Sequence, residues 1–236
     1  VYFYAQLSKP MDEIVSWREG RLEPDSNPER ISGKNAGMAV RFKTRNDEKV
    51  MLKVAISYVS VEQARKNMLA ELPGWDFEQV KQASFSEWND WLGRIEVEGG
   101  SREQQIKLYT DLWHALLGRH VVSDADGHYM DMTSDFPRIR QIPLGEDGKP
   151  LYNHHNFDAW WGSHWSLNIL WSMAYPEVMD NFCNTMTDMY QNGGLIPRGP
   201  SGGNYTYVMI GDPAVSFFAS AYNKGICNYD AELAYE

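Results

Sequence analysis

The densest group of chemically versatile side chains in this sequence is the stretch 153–165, NHHNFDAWWGSHW. It holds three of the six histidines and three of the nine tryptophans of the chain, together with an aspartate. A segment that only filled a core would use Leu, Val and Ile, whereas indole rings mixed with hydrogen-bonding groups are typical of surfaces that bind polar, ring-shaped ligands such as sugars. The alternative is an aromatic core with satisfied histidines, and the stretch alone favours neither.

The spacing of the histidines argues against two other kinds of chemistry. His154 and His155 are adjacent, so in a strand their side chains would point to opposite sides, and His164 is too distant from His155 for a one-turn helical pair. The sequence has neither a zinc-binding His-Glu-x-x-His spacing nor a Gly-x-Ser-x-Gly nucleophile motif. The stretch therefore indicates hydrogen-bonding groups beside indoles, which is the composition of a sugar-binding surface.

An acidic loop at 123–131, SDADGHYMD, is a second candidate site. Asp124, Asp126 and Asp131 could bind calcium, and the Asp-x-Asp-Gly core resembles part of an EF-hand loop. The third acidic position before the glycine is missing, and Asp135 stands where an EF-hand has its glutamate. An Asx turn with solvated carboxylates is the other interpretation. The residues leave both alternatives open.

A glycine-rich loop is the third candidate, with Arg198, Asn204, Tyr205 and Asp212 near five glycines: Gly193, Gly194, Gly199, Gly202 and Gly203. Glycines allow the backbone to approach a ligand closely. Asp212 precedes Pro213, so it is also a candidate helix N-cap. The two roles are compatible, because a capping carboxylate can still accept a hydrogen bond from a sugar hydroxyl.

The elements that position these groups begin with β structure over 1–59. Three candidate strands lie in VYFYAQLS, GMAVRFKT and KVMLKVAISYVS, and the polar segment 18–37 is predicted to be a loop. The last strand alternates with period two, which predicts an antiparallel sheet with one apolar face and one wet face. The apolar face would carry Val50, Leu52, Val54, Ile56 and Tyr58.

Helices are predicted from residue 60 onward. Residues 60–100 form a linker of two helices and a short strand, and residues 101–236 form a mostly helical domain. The predicted start signals are Ser60 with Gln63, Asp76, Ser101 with Gln104, Ser163, Pro176, Asp212 and Asp230. The predicted stops are Pro73–Gly74, Gly193–Gly194 and Gly225. A long non-helical stretch over 120–156 interrupts the helices, and loops of that length inside a compact domain are usually functional.

Composition excludes several function classes. The formal net charge of -10, with no run of Lys or Arg longer than two residues, argues against nucleic acid or an anionic membrane as the partner. No apolar run is long enough to span a bilayer. Cys183 and Cys227 have neither the number nor the spacing of a disulfide framework or a zinc site, so both are predicted to be buried small hydrophobes. The abrupt strand-like start and helical end suggest a segment of a larger protein.

Several separated motifs resemble glycoside hydrolase family 92, the calcium-dependent α-mannosidases. The resemblance runs through SYVSVEQARKNMLAELPGWDFEQV, IEVEGGSREQQIKLYTDLWHALLGRHVVSDADGHY and GGLIPRGPSGGNYTYVMIGDPAVSFFASAYNKGICNYDAELAYE. It covers most of the chain, with the motifs in the family's order. It implies an α+β multidomain fragment: the C-terminal part of an antiparallel β-sandwich (1–59), the helical linker with its strand (60–100), and the first helix pairs of an (α/α)6 barrel (101–236).

The resemblance also implies a function. It implies exo-acting, inverting hydrolysis of α-mannosides with bound Ca²⁺, most of whose ligands would lie outside this segment. The catalytic acid and base would follow Glu236, and Asp158 would not be the acid. The resemblance further implies export to the periplasm or the cell exterior. It also implies a glycan as the partner. The implied substrate-binding residues are Trp160, Trp161, His164, Arg198, Asn204 and Asp212.

The sequence departs from the family's motifs at three positions. Where the family has Trp-Asp-Thr-Phe-Arg, this chain has Gly162 and Trp165 in place of the aspartate and the arginine, and Pro213 replaces the histidine of Gly-Asp-His. These changes predict an altered sugar or linkage. They also leave two other hypotheses open: a non-catalytic carbohydrate-binding protein on the same scaffold, and a purely structural role.

Overall fold

The computed structural model describes residues 1–23, 30–118, 120–157, 160–205, 207 and 210–236. The chain divides into two compact units, one of residues 5–54 and one of residues 1–4 and 55–236. The predicted linker, 60–100, belongs to the same compact unit as 101–236. The three-part division of the sequence stays a prediction.

The fold combines short antiparallel sheets with helices, which confirms the α+β class. The strands are β1 Tyr2–Leu7, β2 Glu13–Arg18, β3 Arg21–Leu22, β4 Ala36–Arg41, β5 Leu52–Ser57, β6 His120–Val121, β7 His128–Asp131, β8 Arg138–Gln141, β9 His155–Asn156, β10 Pro200–Ser201 and β11 Asn204–Tyr205. The helices are α1 Val61–Glu71, α2 Phe77–Leu92, α3 Arg102–Leu117, α4 Leu167–Ala174, α5 Pro176–Gly193, α6 Pro213–Tyr222 and α7 Ala231–Tyr235, with a 3₁₀ turn at Ser163–Trp165.

The β region differs from its prediction in two ways. Strand β2 was not predicted, although it is the centre of the antiparallel sheet β3-β2-β4, and its partner β3 lies in the segment predicted as loop. Part of that loop, 24–29, lies outside the described residues. Strands β1 and β5 form a separate two-stranded sheet. The alternation in β5 is present, but Leu52, Val54 and Ile56 face solvent while Ser57 on the other side is buried.

Several helices begin and end at the residues that the local sequence signals predicted. Ser101 and Gln104 form a complete capping box at α3, and Asp76 and Asp230 accept hydrogen bonds that cap α2 and α7. Pro176 is the first residue of α5, and α5 ends at Gly194 in the left-handed conformation. Such signals act over three or four residues, so the sequence alone suffices to predict them.

Three local predictions are wrong. Ser60 caps α1, but the Gln63 side chain bonds Asp126 instead of returning to Ser60. Asp212 occupies the N-cap position of α6, yet in the described part of the chain its carboxylate makes no capping hydrogen bond. The residues 95–100, all described, form no strand. The long stretch after α3 is non-helical as predicted and contains strands β6 to β9, of which β7 and β8 form an antiparallel pair.

The main core is an aromatic cluster between α3, α4, α5 and α6. The rings of Trp160 and Phe182 lie 4.6 Å apart at an edge-to-face angle, Trp171 stacks on Phe182 at 5.4 Å, and Phe217 lies 4.2 Å from Trp160. Edge-to-face and offset-stacked rings contribute about 0.5–1.5 kcal/mol per pair beyond the area that they bury. The cluster therefore sets the relative positions of the elements that carry it.

No helix among the described residues is both long enough and apolar enough to cross a membrane.

Gly118, at the end of α3, lies so close to the core that a larger side chain would collide with it. A Cβ on Gly118 would overlap Cε2 of Phe157 and lie 2.7 Å from its Cδ2. The Phe157 ring stacks on Trp160 at 4.7 Å, so it has little room to move. We expect Gly118→Ala to lower the free energy of unfolding by about 1–3 kcal/mol, as overpacking does elsewhere.

Urea unfolding measures this loss, and Gly74→Ala is the matched control. A Cβ on Gly74 meets no atom within 4 Å. The control should change stability by less than about 0.5 kcal/mol. Equal stabilities of the two variants would show that the ring of Phe157 is not fixed in place.

Candidate functional site

The aromatic stretch 153–165 divides into a buried part and an exposed part. His154, His155 and Trp160 are buried, with exposed fractions of 1%, 3% and 0%. Trp161 is 64% exposed and Trp165 is 76% exposed. The core interpretation therefore holds for the buried half of this stretch, and the exposed half stays a candidate ligand surface.

Trp160 is a correction to the predicted set of sugar-binding residues. Its indole is surrounded by Phe157, Phe182 and Phe217, and it has no exposed surface on which a sugar ring could stack. The sequence could not separate Trp160 from Trp161, because adjacent indoles look alike until the direction of each side chain is known. Trp160 is a core residue.

The two adjacent histidines also belong to the interior. His154 stacks on Tyr129 with ring centroids 4.1 Å apart, and His155 stacks on Phe182 at 4.6 Å. Burial lowers the pKa of His154 to about 3, and the neighbouring His155 adds to that shift. His154 is therefore neutral at physiological pH and packs as an aromatic ring.

The exposed part begins at a glycine that reverses the chain. Gly162 has a φ of 81°, in the left-handed region, and the 3₁₀ turn of Ser163–Trp165 follows directly. The rings of His164 and Trp165 lie 4.2 Å apart, and both side chains are exposed. Trp161, His164 and Trp165 thus present two indoles and one imidazole to solvent, a group that we call the aromatic platform.

Backbone hydrogen bonds join the platform to the glycine-rich loop. Trp160 N–H donates to the carbonyl oxygen of Arg198 at 3.0 Å, and Phe157 N–H donates to that of Pro200 at 3.0 Å. The loop then turns back as the β10–β11 pair, in which Ser201 faces Asn204. These bonds bring Arg198, which is exposed, and Asn204, which is half-buried, to the segment that carries the platform.

Helix α6 brings the last predicted residue to the same segment. Phe217 of α6 packs on Trp160, and α6 also contacts the 3₁₀ turn of the platform. Asp212 at the start of α6 is exposed and borders a groove of about 1100 Å³. The side chains that line this groove are mostly apolar and include Leu195, Val215, Phe218, Tyr222 and Tyr235.

The structure thus places five of the six predicted residues on adjacent elements with accessible side chains. These five are Trp161, His164, Arg198, Asn204 and Asp212. An exposed indole with neighbouring hydrogen-bonding groups can stack on the apolar face of a sugar ring and bind its hydroxyls. Asp158, which the sequence analysis set aside as a catalytic acid, lies outside the described residues.

The acidic loop has a structural role in this structure. Asp124 is buried and accepts hydrogen bonds from Ser57 Oγ at 2.9 Å and Asn67 Nδ2 at 2.7 Å. Asp126 accepts from Gln63 Nε2 at 2.9 Å and contacts Lys66 Nζ at 3.2 Å. These bonds hold the loop against α1, so its carboxylates are occupied by protein donors.

The two carboxyl groups titrate differently. Burial raises the pKa of Asp124 although Asn67 and Ser57 donate to it. Burial also acts on Asp126, but hydrogen bonds from His128, Gln63 and Lys66 outweigh it and lower that pKa to about 2. No cluster of three or more His, Cys, Asp or Glu side chains suited to a metal exists among the described residues. The predicted Asx turn is present at Asp126, whose Oδ1 accepts from His128 N–H at 3.4 Å, but Asp124 is buried and not solvated as predicted.

The sequence analysis did not identify a partly buried set of hydrogen-bonded polar side chains that includes Tyr129 of β7. Tyr152 Oη donates to Asp188 Oδ2 at 2.7 Å, and Asn192 Nδ2 donates to Tyr129 Oη at 3.2 Å. Burial and, to a smaller extent, the nearby Asp131 raise the pKa of Asp188 to about 6, although the hydrogen bond from Tyr152 lowers it. The only signal in the sequence is an aspartate among apolar residues of an amphipathic helix, which does not identify its partner.

The hydrogen bonds of Asp124 generate a stability prediction. Asp124→Ala would leave the donors of Ser57 and Asn67 buried without an acceptor, which costs about 1–3 kcal/mol. Chemical unfolding measures the loss, and Asp135→Ala, at an exposed carboxylate of the same region, is the control. A chelator should affect both variants equally. A chelator effect present in the wild type and absent in Asp124→Ala would instead assign a metal to this loop.

The raised pKa of Asp188 generates a pH prediction. The folded-state pKa of about 6 exceeds the unfolded value, so the folded state binds the proton more tightly. Stability contributed by this group is present below pH 4 and is lost as pH rises to 6, by up to about 3 kcal/mol. Asp188→Asn keeps an acceptor for Tyr152 without titrating. Its stability relative to the wild type should therefore increase between pH 4 and pH 6.

Thermal unfolding across that pH range measures the difference. Tyr152→Phe provides a second variant, because it removes the hydrogen bond that lowers the pKa of Asp188. The midpoint of the pH dependence should then move to higher pH. Parallel stability curves for wild type and Asp188→Asn would rule out titration of this group.

Comparisons with known proteins identify the family of this chain. The model of the glycosyl hydrolase family 92 catalytic domain matches residues 63–236. A curated relative from Arthroderma benhamiae, described as an uncharacterized secreted glycosidase, is 26% identical over 206 residues, which are 85% of this chain and 21% of the relative.

Solved structures show the same fold. A family GH92 α-mannosidase from Bacteroides thetaiotaomicron superposes with a TM-score of 0.83 at 24% identity, over 99% of this chain and 31% of that protein. A family GH92 inverting mannosidase from the same organism gives a TM-score of 0.79 at 24% identity, over 98% of this chain and 30% of that protein. The chain spans about a third of these structures. Because the family model covers most of its length, the chain belongs to glycoside hydrolase family 92.

Proposed function

We propose that the full-length protein is an exo-acting glycosidase that hydrolyses α-mannosides or related α-linked sugars. This chain would supply part of the wall that binds the terminal sugar. The observation that carries the proposal is the aromatic platform, in which Trp161 is 64% exposed in a member of a glycosidase family. The (α/α)6 barrel and the β-sandwich belong to this proposal as the architecture of the full-length protein.

Each accessible residue has a role that suits its chemistry. Trp161 stacks on the apolar face of a sugar ring, because its indole is exposed and its neighbour Trp160 anchors the backbone in the core. His164 and Asn204 donate or accept hydrogen bonds from hydroxyls. Asp212 accepts from two hydroxyls, and its carboxylate is available because it does not cap α6. Arg198 contributes donors from the adjoining loop.

The hydrolysis that we propose is a single displacement with inversion. One carboxylic acid protonates the glycosidic oxygen, and a carboxylate on the opposite face takes a proton from the attacking water. Such pairs stand roughly 6.5–9.5 Å apart to admit the water. Asp124, Asp126 and Asp131 are engaged by protein donors, so we place the acid and the base in other parts of the full-length protein.

Calcium and cellular location are further parts of the proposal. The described residues offer no cluster of three metal-ligating side chains, so they do not fit a calcium ion by themselves. We place its ligands in other parts of the protein and derive no step through it. Export from the cytoplasm follows from the description of the curated relative as secreted.

One specific observation favours a second candidate, a carbohydrate-binding protein without catalysis. Gly162 and Trp165 replace an acidic and a basic residue of the family's motif, and Trp165 is exposed. Such a surface binds sugar faces through stacking and offers fewer charged hydrogen bonds. The full-length protein would then bind α-mannosides while leaving aryl α-glycosides unhydrolysed.

The role of Asp212 gives the decisive test. We expect Asp212→Ala in the full-length protein to lower kcat/KM on an aryl α-mannoside by about tenfold or more, because hydrogen bonds to a charged group contribute about 1.5–3 kcal/mol. The melting temperature should stay unchanged, because the carboxylate makes no capping bond in the described structure. Steady-state kinetics and thermal unfolding measure the two quantities.

Asp90→Ala is the matched control, since Asp90 is an exposed carboxylate on α2. Its kinetics should equal those of the wild type. Unchanged kinetics of Asp212→Ala would remove that residue from the sugar site. A panel of aryl α-glycosides, assayed with and without a chelator, identifies the sugar and tests the proposed calcium dependence.

A further inference from the structure

The two cysteines of this chain are far apart in sequence, but they lie on neighbouring elements. Cys183 is buried in the middle of α5. Cys227, which was predicted to be buried, is exposed in the connection between α6 and α7, so that prediction is wrong. Both thiols are free in this structure. Neither cysteine belongs to the aromatic platform or to the acidic loop.

Two hydrogen bonds hold the residue after Cys227 against the turn of α5 that carries Cys183. Asn228 N–H donates to Asp180 Oδ1 at 3.0 Å. The carbonyl oxygen of Asn228 accepts from Asn184 Nδ2 at 3.4 Å. Asp180 and Asn184 are one helical turn apart, and Cys183 lies between them along the helix. The backbone of Asn228 therefore bridges the turn to which Cys183 belongs.

The turn that ends α6 directs the chain to this position. Gly225 has a φ of 76°, and Ile226 N–H donates to the carbonyl oxygen of Ala221 at 3.0 Å. On the other side of Asn228, the buried Tyr229 packs on Phe218 with ring centroids 5.3 Å apart. Cys227 thus sits in a segment whose backbone is anchored before and after it.

The thiols of Cys183 and Cys227 are both near enough to Tyr229 to affect its pKa. Burial raises the pKa of Tyr229, and the nearby thiols of Cys183 and Cys227 add to the shift. Burial likewise raises the pKa of Cys183, with further contributions from Asp180 and Cys227. Each cysteine is thus within electrostatic range of the other and of the same tyrosine.

We propose that Cys183 and Cys227 form a disulfide that ties the α6–α7 connection to α5 when the protein is in an oxidising compartment. Rotation of the exposed Cys227 side chain is the main adjustment, because the hydrogen bonds of Asn228 already position the backbone. Disulfides persist in secreted proteins, and the curated relative is described as secreted.

The oxidation proceeds by thiol–disulfide exchange with a small disulfide such as oxidised glutathione. The exposed Cys227 thiolate attacks one sulfur, which forms a mixed disulfide and releases one glutathione. The Cys183 sulfur then attacks the Cys227 sulfur, closes the protein disulfide and releases the second glutathione. Two protein thiols are oxidised, one glutathione disulfide is reduced, and the two protons end on the glutathione thiols.

Peptide mapping of the full-length protein after incubation with oxidised glutathione tests the proposal. We expect a linked pair of peptides containing Cys183 and Cys227, lighter than the free peptides by two hydrogen atoms and separated by a reductant. The oxidised protein should also melt several degrees higher than the reduced protein, because the crosslink restricts the unfolded chain. Mapping by peptide keeps any other cysteines of the full-length protein apart from this pair.

Cys227→Ser is the matched variant, since it removes one exposed sulfur and leaves the core unchanged. The linked peptides and the redox-dependent part of the melting shift should both disappear. Alkylation of both cysteines as free thiols after oxidation would overturn the proposal. So would glutathione retained on Cys227 with Cys183 still reduced, because the second exchange step would then have failed.

Discussion

The structure depends on the inward direction of one indole. Trp160 packs against Phe157, Phe182 and Phe217, which belong to three different segments of the chain. Aromatic pairs in these geometries add directional preference to the area that they bury. The ring of Trp160 therefore fixes the relative position of α5 and α6. It also fixes the backbone of the segment that carries Trp160.

The accessible residues follow from that constraint. With Trp160 facing the core, Trp161 faces solvent, and Gly162 in the left-handed region turns the chain into the 3₁₀ turn. Trp160 N–H also donates to the carbonyl oxygen of Arg198, which joins the glycine-rich loop to this segment. The platform thus combines exposed side chains with a backbone that the core holds, an arrangement that suits ligand binding.

Hydrogen bonds of two partly desolvated aspartates hold other segments of the chain in place. Asp124 joins the acidic loop to α1 through Ser57 and Asn67, and Asp188 holds Tyr152 beside α5. Each carboxylate is partly desolvated, and its hydrogen-bond donors offset the free-energy cost of that burial. Asp124, which resembles a metal ligand in the sequence, thus acts here as an acceptor for protein donors.

Much of the helical secondary structure could be predicted from local signals in the sequence. The caps at Ser101, Asp76 and Asp230 depend on neighbours within one turn, so the sequence suffices to identify them. The family and the α+β class were also correctly predicted, because motifs in a fixed order survive when single residues change. Strand β2 was missed although β3 follows it after only Glu19 and Gly20; its longer pairing is with β4, which lies further along the chain.

Only the tertiary structure decided which side each candidate residue faces. The stretch 153–165 contains every chemical group of the aromatic platform, and its composition left a core and a ligand surface as alternatives. Composition cannot distinguish the buried Trp160 from the exposed Trp161, or the stacked His154 from the exposed His164. Contacts with other elements set these directions, since Trp160 packs on Phe217 of α6 and His154 stacks on Tyr129 of β7.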